Sequence, residues 1–300
     1  MEALEPDYNA RQAGGPAALP ELADSEFVKW ADLVERRLGV VIPPARRSFL
    51  ATNLRMRMWE IGCTDYRSYF HILSGSADSP EWETLLDRLT VHETRFFRND
   101  ASLAFVRQQC LPGVPGPGRP SFRAWSVGCA TGEEAYTLAM VIDAWFAARG
   151  TGYEGGVTGT DVSLPALNAA RAGCYPQRRL ADIPAALRRA YCRGVDGAVF
   201  EIAPQLRRRV SFSRWNLLDM DQAPVGAMDL IYCQNVLIYF DRPRREAIAS
   251  ELVEHLAPGG VLVLGPGELL GWSHPGMQRV CCDDTLAYRR ATTWSAKERP

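Results

Sequence analysis

A chain of 300 residues is long enough to bury a substantial core and to form more than one domain. Its formal net charge of −1 creates no global field for nucleic acid or for an anionic membrane, so we expect no nucleic-acid partner and no direct membrane insertion. No apolar run approaches membrane-spanning length, and the eight cysteines include no C-x-x-C pair. These features are typical of a cytoplasmic protein with reduced thiols and no metal site, and we expect a monomer.

The first 90 residues predict a polar tail followed by a small helical domain. Residues 1–24 are rich in Pro, Ala and Gly and predict a disordered tail. Residues 25–90 predict helices because apolar residues recur there at helical spacing. The first expected helix runs from Ser25 to Leu38, and the second opens at Pro43-Pro44 and continues to Met58. Two shorter helices are expected at Ser68–Leu73 and Glu81–Leu89. In the second stretch, one apolar face is predicted to consist of Phe49, Leu50, Leu54 and Met58.

Residues 91–120 form a linker segment, and residues 121–290 then show strands that alternate with helices. This alternation predicts an α/β fold, a doubly wound parallel sheet of the Rossmann-like type. The predicted strands are Phe122–Val127, Val157–Thr160, Val210–Ser213, Leu230–Cys233 and Val261–Leu264. The predicted helices are Glu133–Phe146, Leu164–Ala172 and Arg242–Leu256. Residues 175–209 predict an irregular insert with a hairpin turn at Gly194–Gly197, and residues 291–300 are expected to be a C-terminal tail.

The turn after the first predicted strand, Gly128-Cys-Ala-Thr-Gly132, is the default ligand site of such a sheet. It lacks the G-x-G-x-x-G pattern, and no Lys-Ser/Thr pair follows it, so it is not typical of a phosphate loop. Glu133 and Glu134 begin the next helix, where acids repel phosphate but can accept hydrogen bonds from an ammonium group. The alternative is that both acids only complement the positive end of the helix dipole. The segment favours a nucleoside ligand with a positively charged tail.

Polar side chains also follow three later strands. Asp161 closes the second predicted strand, where an acid typically accepts the ribose hydroxyls of a nucleoside; the alternative is a helix cap, which Ser163 can form alone. Asn216-Leu217 suits an adenine, with the amide at its edge and the leucine on its face. Gln234-Asn235 ends the fourth strand, which indicates either a polar ligand above it or a simple turn.

Five segments, in order, resemble the CheR-type chemotaxis-receptor methyltransferases. They are Glu93-Thr-Arg-Phe-Phe-Arg98, Gly128-Cys-Ala-Thr-Gly-Glu-Glu134, Gly159-Thr-Asp161, Asn216-Leu-Leu-Asp219 and Asn235-Val-Leu-Ile-Tyr-Phe-Asp241. The match spans roughly residues 25–290 and implies a methyltransferase sheet, an all-helical N-terminal domain and a small β-subdomain in the insert. It also implies transfer of a methyl group from S-adenosylmethionine to glutamates on the cytoplasmic helices of methyl-accepting receptors. The products would be glutamate methyl esters and S-adenosylhomocysteine.

The resemblance further implies a set of cofactor contacts and a catalytic pair. The implied cofactor-binding residues are His92, Thr94, Arg98, Glu133, Asp161, Asn216, Leu217, Gln234 and Asn235. Arg98 and Tyr239 match the family's positions near the transferred methyl group. Arg98 would orient the incoming carboxylate, and Tyr239 would donate a hydrogen bond or place its ring near the sulfonium, unless Tyr239 is simply a core aromatic. A glutamate is already ionised at neutral pH, so we expect neither a general base nor a metal.

Arginines cluster in the helical domain and again in the insert. The first cluster is Arg46, Arg47, Arg55 and Arg57, and the second includes Arg178, Arg179, Arg188, Arg189 and Arg193. Surface arginines are usually only solubilising, but clusters in a near-neutral protein fit an acidic helical partner, so we expect the first cluster to bind substrate. Two other functions stay open: methylation of a small molecule, which leaves the arginines unexplained, and a cofactor-binding signalling module without turnover, against which Arg98 and Tyr239 argue.

Overall fold

The computed structural model describes residues 20–75, 80–90, 93–113, 120–195, 197–280 and 284–293. The chain divides into two compact units, Met1–Val91 and His92–Pro300. His92, a predicted cofactor contact, lies outside the described residues. Among the helices that the structure describes, none is both long enough and apolar enough to cross a bilayer.

The first unit is a set of helices around an apolar core. They are α1 (Asp24–Leu38), α2 (Arg47–Ile61, after a 3-10 turn at Pro44–Arg46), α3 (Tyr66–Ser74) and α4 (Pro80–Leu89). Both α1 and α2 end at glycines in the left-handed conformation, Gly39 and Gly62, which is a common way to stop a helix. Leu22, within the predicted tail, is buried and its carbonyl accepts a hydrogen bond from Arg47. Residues 1–19 of that tail lie outside the described range.

The buried face of α2 differs from the predicted one. It consists of Leu50, Ala51, Leu54 and Met58. The prediction that Phe49 belongs to it is wrong, because the Phe49 ring is half-buried and lies 4.9 Å from the Arg46 guanidinium in a cation–π contact. The smaller Ala51 takes its place against the core.

The second unit is a sheet with helices on both faces, as the alternation of elements predicts. Its sheet strands are β1 (Ser121–Val127), β2 (Glu154–Asp161), β6 (Val210–Arg214), β7 (Met228–Cys233), β8 (Leu256–Leu264), β9 (Met277–Val280) and β10 (Leu286–Arg290). Its helices are α5 (Asp100–Phe105, continued by a π-helical turn at Val106–Cys110), α6 (Glu133–Ala147), α7 (Leu164–Ala172), α8 (Ala185–Tyr191), α9 (Pro204–Arg207) and α10 (Arg242–Glu254). The strand order is β6-β2-β1-β7-β8-β10-β9.

Two details of this sheet correct the prediction. The sheet is mixed, because β10 pairs antiparallel with β8 and β9 pairs antiparallel with β10. The sequence pattern did not predict β9 and β10, because their short sequences, Met-Gln-Arg-Val and Leu-Ala-Tyr-Arg-Arg, contain no long apolar run. The last helix ends at Glu254 rather than Leu256, since Leu256 already pairs with Met228 as the first residue of β8.

The insert forms a small antiparallel sheet, ordered β3-β5-β4, from β3 (Cys174–Pro176), β4 (Cys192–Val195) and β5 (Val199–Ile202). The pairing of β4 with β5, which brings Val195 opposite Val199, confirms the predicted hairpin. The predicted class, a doubly wound sheet with a helical N-terminal unit and a small β-subdomain, is therefore confirmed.

The strand order fixes where a ligand can bind. From β1 the parallel strands run to β2 and β6 on one side and to β7 and β8 on the other. Side chains of β1 alternate between two cores, Phe122 and Ala124 on the α6 face and Trp125 and Val127 on the α10 face. The reversal of order at β1 leaves a crevice beyond its carboxyl end, which is where doubly wound sheets bind ligands.

Candidate active site

The glycine turn between β1 and α6 forms one wall of this crevice. Gly128 and Gly132 have φ values of 68° and 92°, a conformation that favours glycine. A Cβ on Gly128 would lie 2.5 Å from Cγ2 of Val236, and a Cβ on Gly132 would lie 2.7 Å from Cβ of Ala170. The turn therefore packs directly against the loop that follows β7 and against α7, with no room for a side chain between them.

Three residues other than glycine adopt the left-handed conformation in the predicted cofactor segments. They are Phe97 (φ 51°), Ala130 (φ 47°) and Asn235 (φ 61°), and one further such residue, Asp284, occurs elsewhere in the described chain. This conformation costs roughly 1–3 kcal/mol per residue and is concentrated at functional sites. The strained backbone thus occurs in three of the five segments that the sequence motifs mark.

Asp161, at the end of β2, holds the glycine turn in place. Its Oδ2 accepts a hydrogen bond from the Ala130 N–H at 2.8 Å, and its Oδ1 accepts one from the Ser163 N–H at 2.9 Å. Ser163 caps α7, with its Oγ accepting from the Ala166 N–H at 3.1 Å, as the sequence predicts. Asp161 is therefore not needed as the cap, and its contact with a ribose stays a prediction.

The two acids at the start of α6 lie in different surroundings. Glu133 is only 4% exposed; its carboxylate accepts from the Thr131 hydroxyl at 2.6 Å, and burial raises its pKa. Glu134 accepts from the Ser126 hydroxyl at 2.7 Å. Burial raises the pKa of Glu134 to about 8, which the Ser126 hydrogen bond and the positive charge of Arg98 only partly offset.

The segment that carries Arg98 is anchored on both sides. The Phe96 ring packs edge-on against Tyr175, with centroids 4.9 Å apart, and the Phe97 N–H donates to the Thr137 hydroxyl of α6 at 3.2 Å. Asn99 caps α5. Arg98 itself is exposed, with Nη1 donating to the Glu93 carbonyl at 2.9 Å, so its guanidinium is presented from a fixed backbone. Thr94, in the same segment, is half-buried.

Asn216 and Leu217 follow β6 beside Asp161. The Trp215 N–H donates to the Asp161 carbonyl at 3.0 Å, and the Asn216 Oδ1 accepts from the Leu218 N–H at 3.1 Å. Leu217 is half-buried against the core on the α10 face. This pair therefore lies at the same end of the sheet as the glycine turn.

Gln234, Asn235 and Tyr239 come from the loop after β7. Gln234 is buried, and its amide accepts from the Tyr232 hydroxyl at 3.1 Å and donates to the Leu264 carbonyl at 3.3 Å. Asn235 is half-buried, and Tyr239 ends a 3-10 turn at Leu237–Tyr239 and packs against the α10-side core. Gln234 thus has internal partners for both polar atoms, and its contact with a cofactor stays a prediction.

Sequence reasoning missed Glu268, an acid just beyond β8 that is only 3% exposed. Its Oε2 accepts from the Gly265 N–H at 2.7 Å and its Oε1 accepts from the Ile238 N–H at 3.4 Å. Burial raises its pKa, although backbone N–H groups partly offset this effect. The signal was present in the sequence, because an acid shortly after an apolar strand is the same feature that singled out Asp161.

The predicted substrate arginines belong to the helical unit and make different contacts. Arg46 is exposed, whereas Arg47 pairs with Asp24. Arg55 donates to the Pro20 carbonyl at 3.2 Å and to the Tyr66 hydroxyl at 3.1 Å. Arg57 donates to the carboxylates of Glu81 and Glu60. Their contact with a substrate stays a prediction.

In the part of the chain that the structure describes, no group of three or more His, Cys, Asp or Glu side chains is arranged to hold a metal ion.

Two family models match this chain. The model described as "CheR methyltransferase, all-alpha domain" matches residues 25–90, and "CheR methyltransferase, SAM binding domain" matches residues 92–285. The chemotaxis protein methyltransferase of Klebsiella aerogenes is 30% identical over 267 residues, covering 86% of this chain and 89% of that protein. The chemotaxis protein methyltransferase of Salmonella typhimurium is 31% identical over 252 residues, covering 82% and 84%.

Among solved structures, an O-methyltransferase family protein from Burkholderia thailandensis is similar with a TM-score of 0.39 and 14% identity, over 83% of this chain and 64% of that one. The family models and the relatives confirm the resemblance seen in the sequence motifs. The chain belongs to the CheR methyltransferase family, and its larger unit is an S-adenosylmethionine-binding domain.

Proposed function

We propose that this protein transfers methyl groups from S-adenosylmethionine to glutamate side chains on the cytoplasmic helices of chemoreceptors, as a cytoplasmic monomer. The observation that carries the proposal is a set of three carboxyl groups, Glu133 and Glu134 at the start of α6 and Glu268 beyond β8. Glu133, Glu134 and Glu268 form no ion pair within the described residues, and burial raises the pKa of each. Acids without an ion-pair partner fit a ligand with positive charge.

The residues of the crevice fit the cofactor of the family. S-adenosylmethionine, when bound, supplies a methyl group on a positively charged sulfonium and leaves as S-adenosylhomocysteine. We assign Glu133 to its ammonium group, Asp161 to its ribose hydroxyls, and Asn216 with Leu217 to its adenine. The further assigned contacts are His92, Thr94, Arg98, Gln234 and Asn235.

Catalysis in this proposal rests on alignment. A substrate glutamate is ionised at neutral pH, so no proton has to be removed and no general base is needed. Arg98 orients the carboxylate through charge-assisted hydrogen bonds, and Tyr239 lines the path of the methyl group. Good alignment and exclusion of water can lower such a barrier by about 7–11 kcal/mol.

The four arginines of the helical unit are proposed to contact an acidic receptor helix. Arg46, which is exposed, offers the most accessible charge of the four. Arg47, Arg55 and Arg57 also hold the helical unit together through their internal partners. We therefore expect an acidic partner to contact mainly Arg46, and to contact only the exposed parts of the other three side chains.

The test is cofactor-dependent labelling of candidate receptors in membranes with the purified protein and radiolabelled S-adenosylmethionine. We expect label on the receptor that alkali releases as methanol, because methyl esters are hydrolysed by base. Receptors whose acceptor glutamates are replaced by alanine serve as the control. Label found only on a small molecule, or cofactor binding without any transfer, would replace this proposal with one of the two alternatives.

A further inference from the structure

The loop between β7 and α10 carries Asn235 and Tyr239, two of the residues that the proposed function needs. Its backbone is strained at Asn235, whose φ is 61°. Val236 packs so closely against the glycine turn that a Cβ on Gly128 would lie 2.5 Å from its Cγ2. Any shift of this loop would therefore change both the position of Tyr239 and the width of the crevice.

One buried carboxylate joins this loop to the next strand. Glu268 accepts hydrogen bonds from the Gly265 N–H just after β8 at 2.7 Å and from the Ile238 N–H of the loop at 3.4 Å. The backbone N–H groups of Asn235 and Val236 also stabilise its charged form. Glu268 has no cationic partner within the described residues, so backbone donors supply its compensation.

Arg245 of α10 holds the carbonyl side of the same loop. Its Nε donates to the Phe240 carbonyl at 2.8 Å, its Nη2 donates to the Ile238 carbonyl at 3.3 Å, and its Nη1 donates to the Glu268 carbonyl at 3.1 Å. The peptide groups on both sides of Ile238 are thus held, the N–H by a carboxylate and the C=O by a guanidinium. Such charge-assisted bonds are about twice as strong as neutral ones.

We propose that Glu268 is a positioning residue for methyl transfer, which fixes the loop so that Asn235 and Tyr239 face the crevice in a productive geometry. The assigned roles of Asn235 and Tyr239 rest on the proposed function, whereas binding of S-adenosylmethionine by this unit does not. Glu268 does not contact the reacting atoms; it acts through the backbone of the loop.

Two variants remove this support by different routes. Glu268→Gln keeps the shape but replaces one acceptor oxygen by an NH₂ group, so one backbone N–H loses its partner. Gly265→Ala keeps the charge, but its new Cβ would lie 2.6 Å from Cδ of Glu268, so the carboxylate must move away. Glu251→Gln, at an exposed position on α10, is the matched control.

We measure calorimetric affinity and stoichiometry for S-adenosylmethionine, hydrogen exchange of the peptide spanning residues 235–240, and kcat and KM with a receptor substrate. We expect both variants to weaken cofactor affinity and to lower kcat by about 10-fold or more. This is the effect expected when one hydrogen bond to a charged group is lost. Exchange in that peptide should accelerate, the KM for receptor should stay unchanged, and Glu251→Gln should match the wild type.

A merely structural role would lower the binding stoichiometry and the melting temperature while the folded fraction kept wild-type affinity and kcat, and that result would overturn the inference. So would failure of both variants to fold, judged by circular dichroism. If the wild type labels no receptor but both variants still lose cofactor affinity, the proposed function fails while the positioning role of Glu268 for cofactor binding stands.

Discussion

The helical unit and the crevice of the second unit differ in how their buried and partly buried charges are paired. In the helical unit, Arg57 donates to Glu81 at 2.8 and 2.6 Å and to Glu60 at 2.9 Å, and Arg88 donates to Glu60 at 2.7 Å. Burial opposes ionisation of Glu60, but the hydrogen bonds from Arg57 and Arg88 lower its pKa. The hydrogen bonds to Glu81 likewise raise the pKa of Arg57.

The acids of the second unit have no such ion pairs. Burial raises the pKa of Glu133, Glu134 and Glu268, and none of the three forms an ion pair within the described chain. Charges that are paired inside the free protein contribute to its fold, whereas acids without an ion-pair partner still attract a cationic ligand. We propose from this comparison that similar residue types serve stability in one unit and ligand binding or loop positioning in the other.

The largest effect is expected for Arg98→Ala. Because Arg98 is exposed, the fold should be retained, but the incoming carboxylate loses its orienting partner, and kcat/KM for receptor methylation should fall about 100-fold or more. Initial-rate labelling measures this loss. Arg107→Ala, at another exposed position, is the control, and full activity of Arg98→Ala would remove Arg98 from the catalytic assignment.

Asp161→Asn should weaken binding of S-adenosylhomocysteine by about 10-fold or more, because a charged acceptor for the Ala130 N–H and for a ribose is lost. Calorimetry checks this expectation. The matched control is Ser163→Ala, which removes the α7 cap and should cost about 1 kcal/mol of unfolding free energy without changing affinity. Equal affinity losses in the two variants would show that Asp161 acts only through the local backbone.

Arg57→Met tests the ion pairs of the helical unit. It leaves the carboxylates of Glu60 and Glu81 without one cation, and we expect the free energy of unfolding to fall by about 1–2 kcal/mol, a value reduced for the solvent that still reaches them. Urea unfolding gives the measurement, with the exposed Arg67→Met as control. An unchanged midpoint together with a raised receptor KM would instead favour the substrate-binding role predicted for Arg57.

The smallest effect concerns pH. The pKa of Glu134 is about 8, so its carboxyl is mostly neutral at pH 7 and ionises as the pH rises. A cationic ligand favours the ionised form, so the ratio of S-adenosylmethionine affinity between the wild type and Glu134→Gln should increase about 3-fold between pH 7 and 8.5. S-adenosylhomocysteine, which has the same amino-acid group but no sulfonium, is the comparison ligand, and Glu134→Gln should flatten the difference between the two ligands.

The same pKa fixes the sign of a stability effect. The folded protein holds the Glu134 proton more tightly than the unfolded chain, so without ligand the contribution of the neutral form is complete below the unfolded value of 4.5 and is lost as the pH rises to about 8. Unfolding midpoints of the wild type and Glu134→Gln at pH 6 and pH 8.5 check this. A wild-type protein that gains stability over this range relative to Glu134→Gln would contradict it.

The limits of sequence reasoning appear in particular elements. The helix Leu164–Ala172 was predicted with its observed bounds, because a serine cap, an apolar face and a glycine stop are all local signals. Strands β9 and β10 were missed, because a short strand with charged residues becomes a strand only when a neighbour supplies its hydrogen bonds. The prediction that Phe49 lies on the buried face of α2 failed for a related reason. Its contact with the Arg46 guanidinium does not follow from apolar spacing.

The site shows the same division. The sequence by itself determined which side chains lie at the carboxyl ends of the strands, because strand periodicity and chain order place Asp161, Asn216 and Asn235 there. Only the tertiary structure decided that Arg57 has ion-pair partners while Glu134 has none within the described residues, and that Glu268 reaches the loop after β7. Charge compensation depends on which groups lie within a few ångströms of each other across distant parts of the chain, and sequence spacing does not contain that distance.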